Sequence, residues 1–311
     1  MCGSEVDEEL QQTIQKLRAD GFFVVEGAPF GARTTYRVGG LAAAGLELST
    51  VEELQHLRDL LVGSEVKIPL FILGRGSNVL VADHGFCGLL ITLGAGFSWL
   101  KQEGRNVEIG GASPLPVMAR RIATLGLGGF TWAVGVPGSM GGAVRMNAGG
   151  HGHVLAETLR EALLVDLETD APSAWEPVGA LELGYRSSSI RESQVVIAAR
   201  LELAPGDPSV LAGELSDIVA WRRAHQPGGQ NAGSVFMNPS TSPAAQLIEE
   251  SGLKGYRYRT AMVSAKHANF IQADPQGSAD DVFHLMHVVG ETVKLRTGVE
   301  LRSEVRLVGF S

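Results

Sequence analysis

The sequence is poor in the residues that mark several classes of protein. Its 311 residues include only two cysteines, Cys2 and Cys87. That is too few for a disulfide framework and favours a reducing cytoplasm. The 26 Lys and Arg are outnumbered by 34 Asp and Glu, and a net charge of −8 argues against a nucleic-acid-binding protein. The opening MCGSEVDEEL has neither the basic residues nor the apolar run of a signal peptide.

Long apolar runs are scarce as well. One stretch, residues 122–144, is free of charge, but it contains seven glycines and Pro137. Backbone groups without internal hydrogen bonds are costly in lipid, so we predict buried loop and strand here and no membrane span. With 44% hydrophobic residues the chain has enough apolar surface for a folded core.

Glycine is the residue present in excess. The chain has 40 of them in 311 residues, against about 7% in average proteins. They follow no collagen-like period and form no Gly/Ser linker. Glycines of this kind belong in tight turns and at places where another group approaches the main chain closely. The sequence therefore predicts that backbone forms part of a binding surface.

Hydrophobic spacing predicts an α+β protein. Helices are expected where apolar residues recur at helical spacing, and one of them follows Ser49 or Thr50 as N-cap with Glu52 or Glu53 as its partner. Strands are expected where short apolar or alternating runs lie between turn residues. The predicted helices cover residues 7–20, 51–62, 115–125, 209–226, 242–252 and 279–298. The predicted strands cover residues 67–74, 160–171, 174–178, 193–203, 260–272 and 299–309.

The segment Ala204-Pro-Gly-Asp-Pro208 is the best candidate for a linker, because two prolines flank Gly-Asp. We therefore predict a helical N-terminal extension over residues 1–30 and a larger domain over residues 31–206. The larger domain would have two lobes, at about 31–90 and 91–206. A smaller α+β module would follow over residues 207–311.

A glycine-containing loop follows the predicted strand at 67–74. In Leu73-Gly-Arg-Gly-Ser-Asn-Val79, successive small residues can direct several N–H groups at one anion. The segment has no third glycine and no following helix, which excludes a Rossmann fingerprint, and it has no Gly-Lys-Ser/Thr, which excludes a Walker loop. By itself the pattern leaves two readings open, a phosphate cradle or an ordinary tight turn.

A second glycine-rich segment runs from Gly135 through Ala143 and on to Gly150. It has six glycines in sixteen residues, close to Phe130 and Trp132. Such a segment can form a rigid surface for a flat ring. Pro137 stands where a serine-hydrolase elbow needs glycine, so that chemistry is not expected. His151 and His153 lack a third ligand at a recognisable spacing, and no metal site is predicted.

Three further segments carry reactive side chains: Gly184-Tyr-Arg-Ser-Ser-Ser-Ile190, Asn231-Ala-Gly-Ser-Val-Phe236 and Ser303-Glu-Val-Arg306. Individually an arginine, a serine and a glutamate prove nothing, and a surface ion pair is an ordinary alternative for Arg186 and Glu304. Their order along the chain, together with the two glycine loops, indicates the family that this sequence resembles.

Eight blocks in order resemble the UDP-N-acetylenolpyruvoylglucosamine reductase family. They are TYRVGG (35–40), LGRGSNVLVADHGFCG (73–88), WAVGVPGSMGGAVRMNAGGHG (132–152), GYRSSSI (184–190), QNAGSVFMNP (230–239), LIEESGLKG (247–255), VSAKHANFI (263–271) and SEVRLVG (303–309). The resemblance implies a two-lobed FAD-binding domain of the vanillyl-alcohol-oxidase (PCMH) type followed by an α+β substrate-binding domain. It also implies NADPH as co-substrate, a cytoplasmic location and a nucleotide-sugar substrate, with no nucleic acid and no membrane as partner. We expect a monomer.

The resemblance assigns roles to individual residues. It implies catalytic roles for Ser234, Arg186 and Glu304, and substrate contacts for Tyr185, Asn238 and His267. The cofactor residues that it implies are Gly74, Arg75, Gly76, Ser77, Asn78, Val79, Gly135, Pro137, Gly138, Ser139, Gly141, Gly142, Ala143 and Asn147.

The implied reaction saturates an enolpyruvyl double bond. A hydride would pass from NADPH to the flavin and from its N5 to the vinyl carbon, and Ser234 would supply the proton. Arg186 suits the charge that develops on the carboxylate side, because its guanidinium stays protonated and its fork matches an enolate. Glu304 would either hold that arginine or, if protonated, share the developing charge.

Two departures from the family pattern are visible. Met237 stands where relatives often have lysine, and no tyrosine-bearing insertion occurs near residues 190–195, as in the shorter subclass of the family. Arg222, Arg223 and His225 could contact a diphosphate or be solvated. The competing hypotheses are an FAD-dependent alcohol or sugar oxidase of the same fold and a catalytically silent nucleotide-binding protein.

Overall fold

The computed structural model describes residues 4–64 and 67–310, so that Cys2 lies outside the described residues. The helices are α1 (Ser4–Ala19), α2 (Val51–Val62), α3 (Leu115–Thr124), α4 (Met140–Arg145), α5 (Pro208–His225), α6 (Ala244–Glu250) and α7 (Ala279–Thr297). The strands are β1 (Val25–Pro29), β2 (Leu41–Leu48), β3 (Leu70–Leu73), β4 (Val79–Val81), β5 (Phe86–Leu93), β6 (Leu100–Glu103), β7 (Asn106–Gly110), β8 (Leu127–Gly128), β9 (Gly149–Gly150), β10 (His153–Val154), β11 (Leu159–Asp166), β12 (Ala174–Pro177), β13 (Gln194–Glu202), β14 (Ala204–Pro205), β15 (Arg257–Tyr258), β16 (Ala261–Val263), β17 (Ile271–Ala273) and β18 (Arg306–Val308).

The first lobe is built on a sheet in the order β1-β2-β5-β3. β2, β5 and β3 run parallel, and β1 is an antiparallel edge strand. α2 begins as predicted: Thr50 is its N-cap, and Thr50 and Glu53 form a reciprocal capping box. Because β1 pairs with β2, the end of the predicted extension at 1–30 is part of the sheet of this lobe.

The second lobe is an antiparallel sheet in the order β12-β11-β13-β7-β6. One face packs on α3 and α4 in the largest core cluster. The other face presents Val165, Val195 and Ile197 to the first lobe, where they pack with α1, α2 and the first sheet. The two lobes therefore share a hydrophobic core.

α5 lies on the second lobe, although we assigned its residues to the following domain. Its buried Leu211 and Leu215 belong to the second-lobe core. The segment that we expected to be a linker contributes β14, which pairs with β8. The domain limits at residues 1–30, 31–206 and 207–311 stay predictions.

The last part of the chain packs α6 and α7 on a small antiparallel sheet in the order β15-β16-β17. Two predicted strands are wrong in length. The strand predicted at 260–272 is two short strands, because the hydrogen bond from Ser264 N–H to Phe270 O (2.8 Å) closes a turn between them. The strand predicted at 299–309 is reduced to β18, which pairs in parallel with β4 of the first lobe. The C-terminal segment thus returns to the first lobe.

The uncharged stretch at residues 122–144 also differs in part from the prediction. It contains the end of α3, the short strand β8, a 3-10 turn over Thr131–Gly135 and the start of α4. We did not predict α4. Within the described residues, no helix combines the length and the apolarity that crossing a bilayer requires.

Candidate active site

A cavity of about 840 Å³ is lined by both lobes and by the C-terminal part of the chain. Its volume falls in the range of about 300–1,000 Å³ that is usual for ligand pockets. Leu73 and Gly74 line it from the first lobe, Gly141 and Val196 from the second, and Ser234 from the C-terminal part. A ligand in this cavity would contact three separate stretches of the chain.

The first predicted cofactor loop, residues 74–79, forms one wall. Gly76 has φ +63°, and a Cβ there would come within 2.7 Å of Thr34 Cα. Thr35 N–H donates to Gly76 O (2.9 Å) and holds the loop against the TYRVGG segment. Within the described part of the chain, the N–H groups of Arg75, Gly76 and Ser77 donate no backbone hydrogen bond. This arrangement favours the phosphate-cradle reading over the ordinary turn.

The second predicted loop, residues 135–143, packs directly on the first. Ser139 is the N-cap of α4 and accepts from Gly142 N–H (3.4 Å). A Cβ added to Gly74 would overlap Ser139 Oγ, and one added to Gly138 would lie 3.4 Å from Ser77 Oγ. The cavity is lined by the predicted cofactor residues Gly74, Arg75, Gly76, Ser77, Asn78, Val79, Gly135, Pro137, Gly138, Ser139, Gly141, Gly142 and Ala143.

Asn147 does not line this cavity. It is buried with φ +39°. Its Nδ2 donates to Gly184 O (2.9 Å), and its Oδ1 accepts from Ala156 N–H (3.0 Å). Both ends of the amide are therefore used within the protein. Asn147 holds the loop that carries Arg186.

Arg186 and Glu304 meet at the cavity wall although 118 positions separate them. Arg186 Nε donates to Glu304 Oε1 (2.7 Å), and its Nη2 donates to Gly149 O (3.1 Å). Arg186 has φ +55°, so the tight turn at Gly184–Ser187 directs its side chain inward. Burial raises the pKa of the Glu304 carboxyl, and the nearby Arg186 guanidinium opposes that rise. The Gly149 carbonyl therefore helps to hold the Arg186 guanidinium in the ion pair.

Ser234 lies on the adjacent part of the wall. The backbone on its C-terminal side is bound twice: Val235 N–H donates to Asn269 O (2.8 Å) and Phe236 N–H donates to Asn269 Oδ1 (2.9 Å). Glu304 N–H donates to Val235 O (2.8 Å), so Ser234 and Glu304 lie on hydrogen-bonded segments. Within residues 4–64 and 67–310 the Ser234 hydroxyl has no side-chain hydrogen bond, which leaves it available to a ligand.

The three predicted substrate contacts are outside the cavity lining. Tyr185 is half exposed, and its ring lies 5.4 Å from the Arg186 guanidinium. Asn238 accepts from Ala244 N–H (3.0 Å) at the start of α6. His267 packs its ring edge-on against Phe270, and burial lowers its pKa. These roles stay predictions.

Several residues that we did not predict line the cavity, and some of them are charged. Arg145 lies within the block at residues 132–152, and Arg306 stands two residues from Glu304, whereas nothing in the local sequence distinguishes Glu192. Arg145 has its pKa lowered by burial and by Arg306. The ionisable wall residues include Arg33, Arg75, Arg145, Arg186, Arg222 and Arg306, with Glu47, Glu192 and Glu304. The wall is therefore cationic in a chain of net charge −8, which favours an anionic ligand.

These residues fit FAD. The two loops present small residues where a pyrophosphate and a flat ring would need close approach, and the arginines offset phosphate charge. Trp132 and Gln226 line the cavity, and within the described residues Trp132 Nε1 and Gln226 Oε1 are buried without a hydrogen-bond partner. Buried polar atoms are rarely left unpaired. A bound dinucleotide offers such partners.

His151 and His153 are used in other contacts. His153 Nδ1 lies 2.8 Å from Glu157 Oε2, and the His151 ring contacts Trp221. Within the described ranges, the structure contains no group of three His, Cys, Asp or Glu residues that could hold a metal ion.

Comparisons with known proteins agree with this geometry. An FAD binding domain model matches residues 43–169, which include the first glycine loop and the second. A model described as UDP-N-acetylenolpyruvoylglucosamine reductase, C-terminal domain, matches residues 225–308, which include Ser234 and Glu304. Fold and site together thus define an FAD-dependent oxidoreductase.

Individual relatives identify the family within that class. UDP-N-acetylenolpyruvoylglucosamine reductase of Synechococcus sp. is 40% identical over 91% of this chain and 90% of its own length. The Bacillus subtilis protein of the same name is 34% identical over 96% and 99%. The crystal structure of UDP-N-acetylenolpyruvylglucosamine reductase from Thermus caldophilus matches with a TM-score of 0.78 and 30% identity, covering 92% of this chain and 98% of that one. The chain belongs to the UDP-N-acetylenolpyruvoylglucosamine reductase family, and the predicted resemblance is confirmed.

Proposed function

We propose that this protein reduces the enolpyruvyl group of UDP-N-acetylglucosamine enolpyruvate to the lactyl ether, and that Ser234, Arg186 and Glu304 carry the chemistry. The product, UDP-N-acetylmuramate, is a peptidoglycan precursor. The two glycine loops, residues 74–79 and 135–143, would hold FAD, which would supply hydride transfer from NADPH to the vinyl carbon of the substrate. The observation that carries the proposal is the meeting of Arg186, Glu304 and the Ser234 segment on the wall that both glycine loops share.

In this proposal Arg186 binds and stabilises the carboxylate side of the substrate. Charge accumulates there when the vinyl carbon gains its hydride. A guanidinium stays protonated and can hold an enolate with two hydrogen bonds. Glu304 accepts from Nε and Gly149 O accepts from Nη2, so the fork has a fixed orientation and its remaining donors are open to a ligand. A preorganised donor of this kind typically contributes about 10²–10³ in rate.

Ser234 supplies the proton to the carbon that bears the ether oxygen. Asn269 fixes the backbone that follows Ser234, and Ser234 lines the cavity. A serine hydroxyl is a weak acid, and the Arg186 guanidinium nearby would stabilise the negative charge that the proton leaves behind. General acid catalysis typically contributes about 10²–10⁴ in rate.

We also propose that Tyr185, Asn238 and His267 contact the substrate, as the family resemblance implies, although none of them lines the cavity. We also propose a monomer that acts in the cytoplasm. The monomer is supported by the cavity, whose three walls come from one chain. The cytoplasm is supported by the nucleotide nature of both proposed substrates.

An anaerobic experiment tests the proposed reaction. The holoprotein is reduced with one equivalent of NADPH, and the enolpyruvyl nucleotide is then added while flavin absorbance is followed. Rapid reoxidation with formation of UDP-N-acetylmuramate is expected. An oxidase would instead be reoxidised by oxygen with release of hydrogen peroxide, and that result, with no response to the nucleotide, would contradict the proposal. The family relationships favour the reductase over the oxidase.

A further inference from the structure

The last turns of α5 carry a group of aromatic rings at the cavity. Trp221 and His225 are stacked, with centroids 4.7 Å apart and planes at 19°. His151, from the turn between β9 and β10, meets Trp221 edge-on at 5.0 Å and 81°. The His225 Nδ1 atom lies 2.8 Å from Trp221 O, which fixes the histidine ring beneath the indole. The two histidines thus hold the indole in place.

Trp221 remains 44% exposed although it lines the cavity. The other tryptophan rings are in contact with side chains of the protein. Trp99 and Trp175 each lie under a cation, from Lys101 and Arg200, and Trp132 is buried against Phe130. Within the described ranges no cation lies over Trp221. A large, immobilised, partly exposed indole at a ligand cavity presents apolar ring surface on which a flat ring can stack.

The neighbouring residue supplies the second observation. Arg222 lines the same cavity, and its side chain packs closely on Gly135. A Cβ added to Gly135 would lie only 2.9 Å from Arg222 Cδ. Burial lowers the pKa of Arg222. Among the described residues the guanidinium forms no ion pair and donates no hydrogen bond, although it is partly buried. Removing a cation from water without an ion-pair partner costs free energy, and an ion pair with a phosphate group would offset that cost.

An indole and an unpaired guanidinium on consecutive residues that line the same cavity match a nucleotide, which has a flat base a few bonds from phosphate. We propose that Trp221, braced by His225 and His151, is the platform on which a nucleotide base stacks, with Arg222 bound to the adjoining phosphate. This inference rests on the proposed function, which requires two nucleotide substrates. The base is either the uracil of the nucleotide sugar or a base of NADPH.

The test uses the oxidised holoprotein and two probes, UDP and NADP⁺. Dissociation constants are measured for the wild type, Trp221→Ala, Trp221→Phe and the matched control Trp175→Ala, whose tryptophan lies outside the cavity. Loss of base stacking weakens binding by about tenfold on alanine substitution. We expect that loss in Trp221→Ala for at least one probe, retention within about twofold in Trp221→Phe, and no change in the control.

The pattern across probes assigns the base. Weaker UDP binding alone identifies the uracil, weaker NADP⁺ binding alone identifies the reductant, and weaker binding of both identifies a subsite that the two substrates use in turn. Equal affinities of wild type and Trp221→Ala for both probes would overturn the inference. A lowered FAD content in Trp221→Ala would also overturn it, because the platform would then belong to the cofactor. If the wild type binds neither probe, the proposed function itself fails.

Discussion

The glycine loops and the catalytic group illustrate two ways of building a site. Each loop is continuous in sequence and uses its backbone, with small residues that let the loops touch at Gly74 and Ser139. Arg186, Ser234 and Glu304 come from distant segments and use their side chains. The loops depend on glycines, whose missing Cβ atoms allow close approach, whereas the catalytic group depends on particular side-chain atoms. Substitutions should therefore separate cofactor retention from chemistry.

The largest effect is expected for Ser234→Ala. Reoxidation of the reduced flavin by the enolpyruvyl nucleotide should slow by about 10²–10⁴, because the proton donor is lost. Reduction by NADPH and FAD content should stay within twofold of the wild type. Stopped-flow absorbance measures both half-reactions. Ser216→Ala on the exposed face of α5 is the control, and equal loss of both half-reactions in Ser234→Ala would contradict the assignment of the acid.

The second-largest effect is expected for Arg186→Lys. The charge remains, but the fork that binds Glu304 and Gly149 is lost, so reoxidation by substrate should slow by about 10²–10³. FAD content should not change. Arg200→Lys, at a surface arginine that pairs with Glu108 and Glu161, is the matched control. If Arg186→Lys released the cofactor while turnover per bound flavin stayed normal, the division between loops and catalytic group would be wrong.

Gly74→Ala should weaken FAD binding and leave the chemistry of the bound flavin nearly unchanged. The added Cβ overlaps Ser139 Oγ, so this hydroxyl must move, and the N-cap bond that it accepts from Gly142 N–H is disturbed. Overpacking of this kind costs about 1–3 kcal/mol, so the dissociation constant of FAD should rise by about tenfold. Each half-reaction, expressed per bound flavin, should change by less than threefold. Gly179→Ala is the control, since nothing lies within 4 Å of a Cβ there. FAD binding as tight as in the wild type would show that the loops do not form the cradle.

The smallest effect concerns pH. Burial raises the pKa of Glu304, so its carboxylate takes up a proton at a higher pH than an ordinary glutamate. As pH falls through that raised pKa, the ion pair with Arg186 is lost. Reoxidation by substrate should therefore decline severalfold on the acidic side, starting above the usual carboxyl range. Glu304→Gln should show a lower plateau without this limb, and persistence of the limb in that variant would assign it to another group.

Local features were predictable where local forces decide the structure. α2 follows its capping signals and matches residues 51–62, because Thr50 and Glu53 satisfy the first N–H groups within one turn. The strand before the first glycine loop and the loop itself were also predictable. α5 packs on the second-lobe core, although we placed its residues in the following domain, since its sequence shows an apolar stripe but not which core that stripe faces. The motif of Asn147 likewise does not show that its amide binds Gly184 O and Ala156 N–H, and its cofactor role stays a prediction.

The sequence alone determined the chemical inventory: two glycine loops, an arginine, a serine and a glutamate in an order that identifies the family. Only the tertiary structure decided that these side chains share a cavity. Arg186 reaches Glu304 because β18 returns to pair with β4, and because Asn78 Nδ2 donates to Glu304 O (2.8 Å) across 226 positions. Such contacts form only when the strands on either side are packed. The sequence gives the types of residue and their order, whereas long-range strand pairing and hydrogen bonds fix the distances between their side chains.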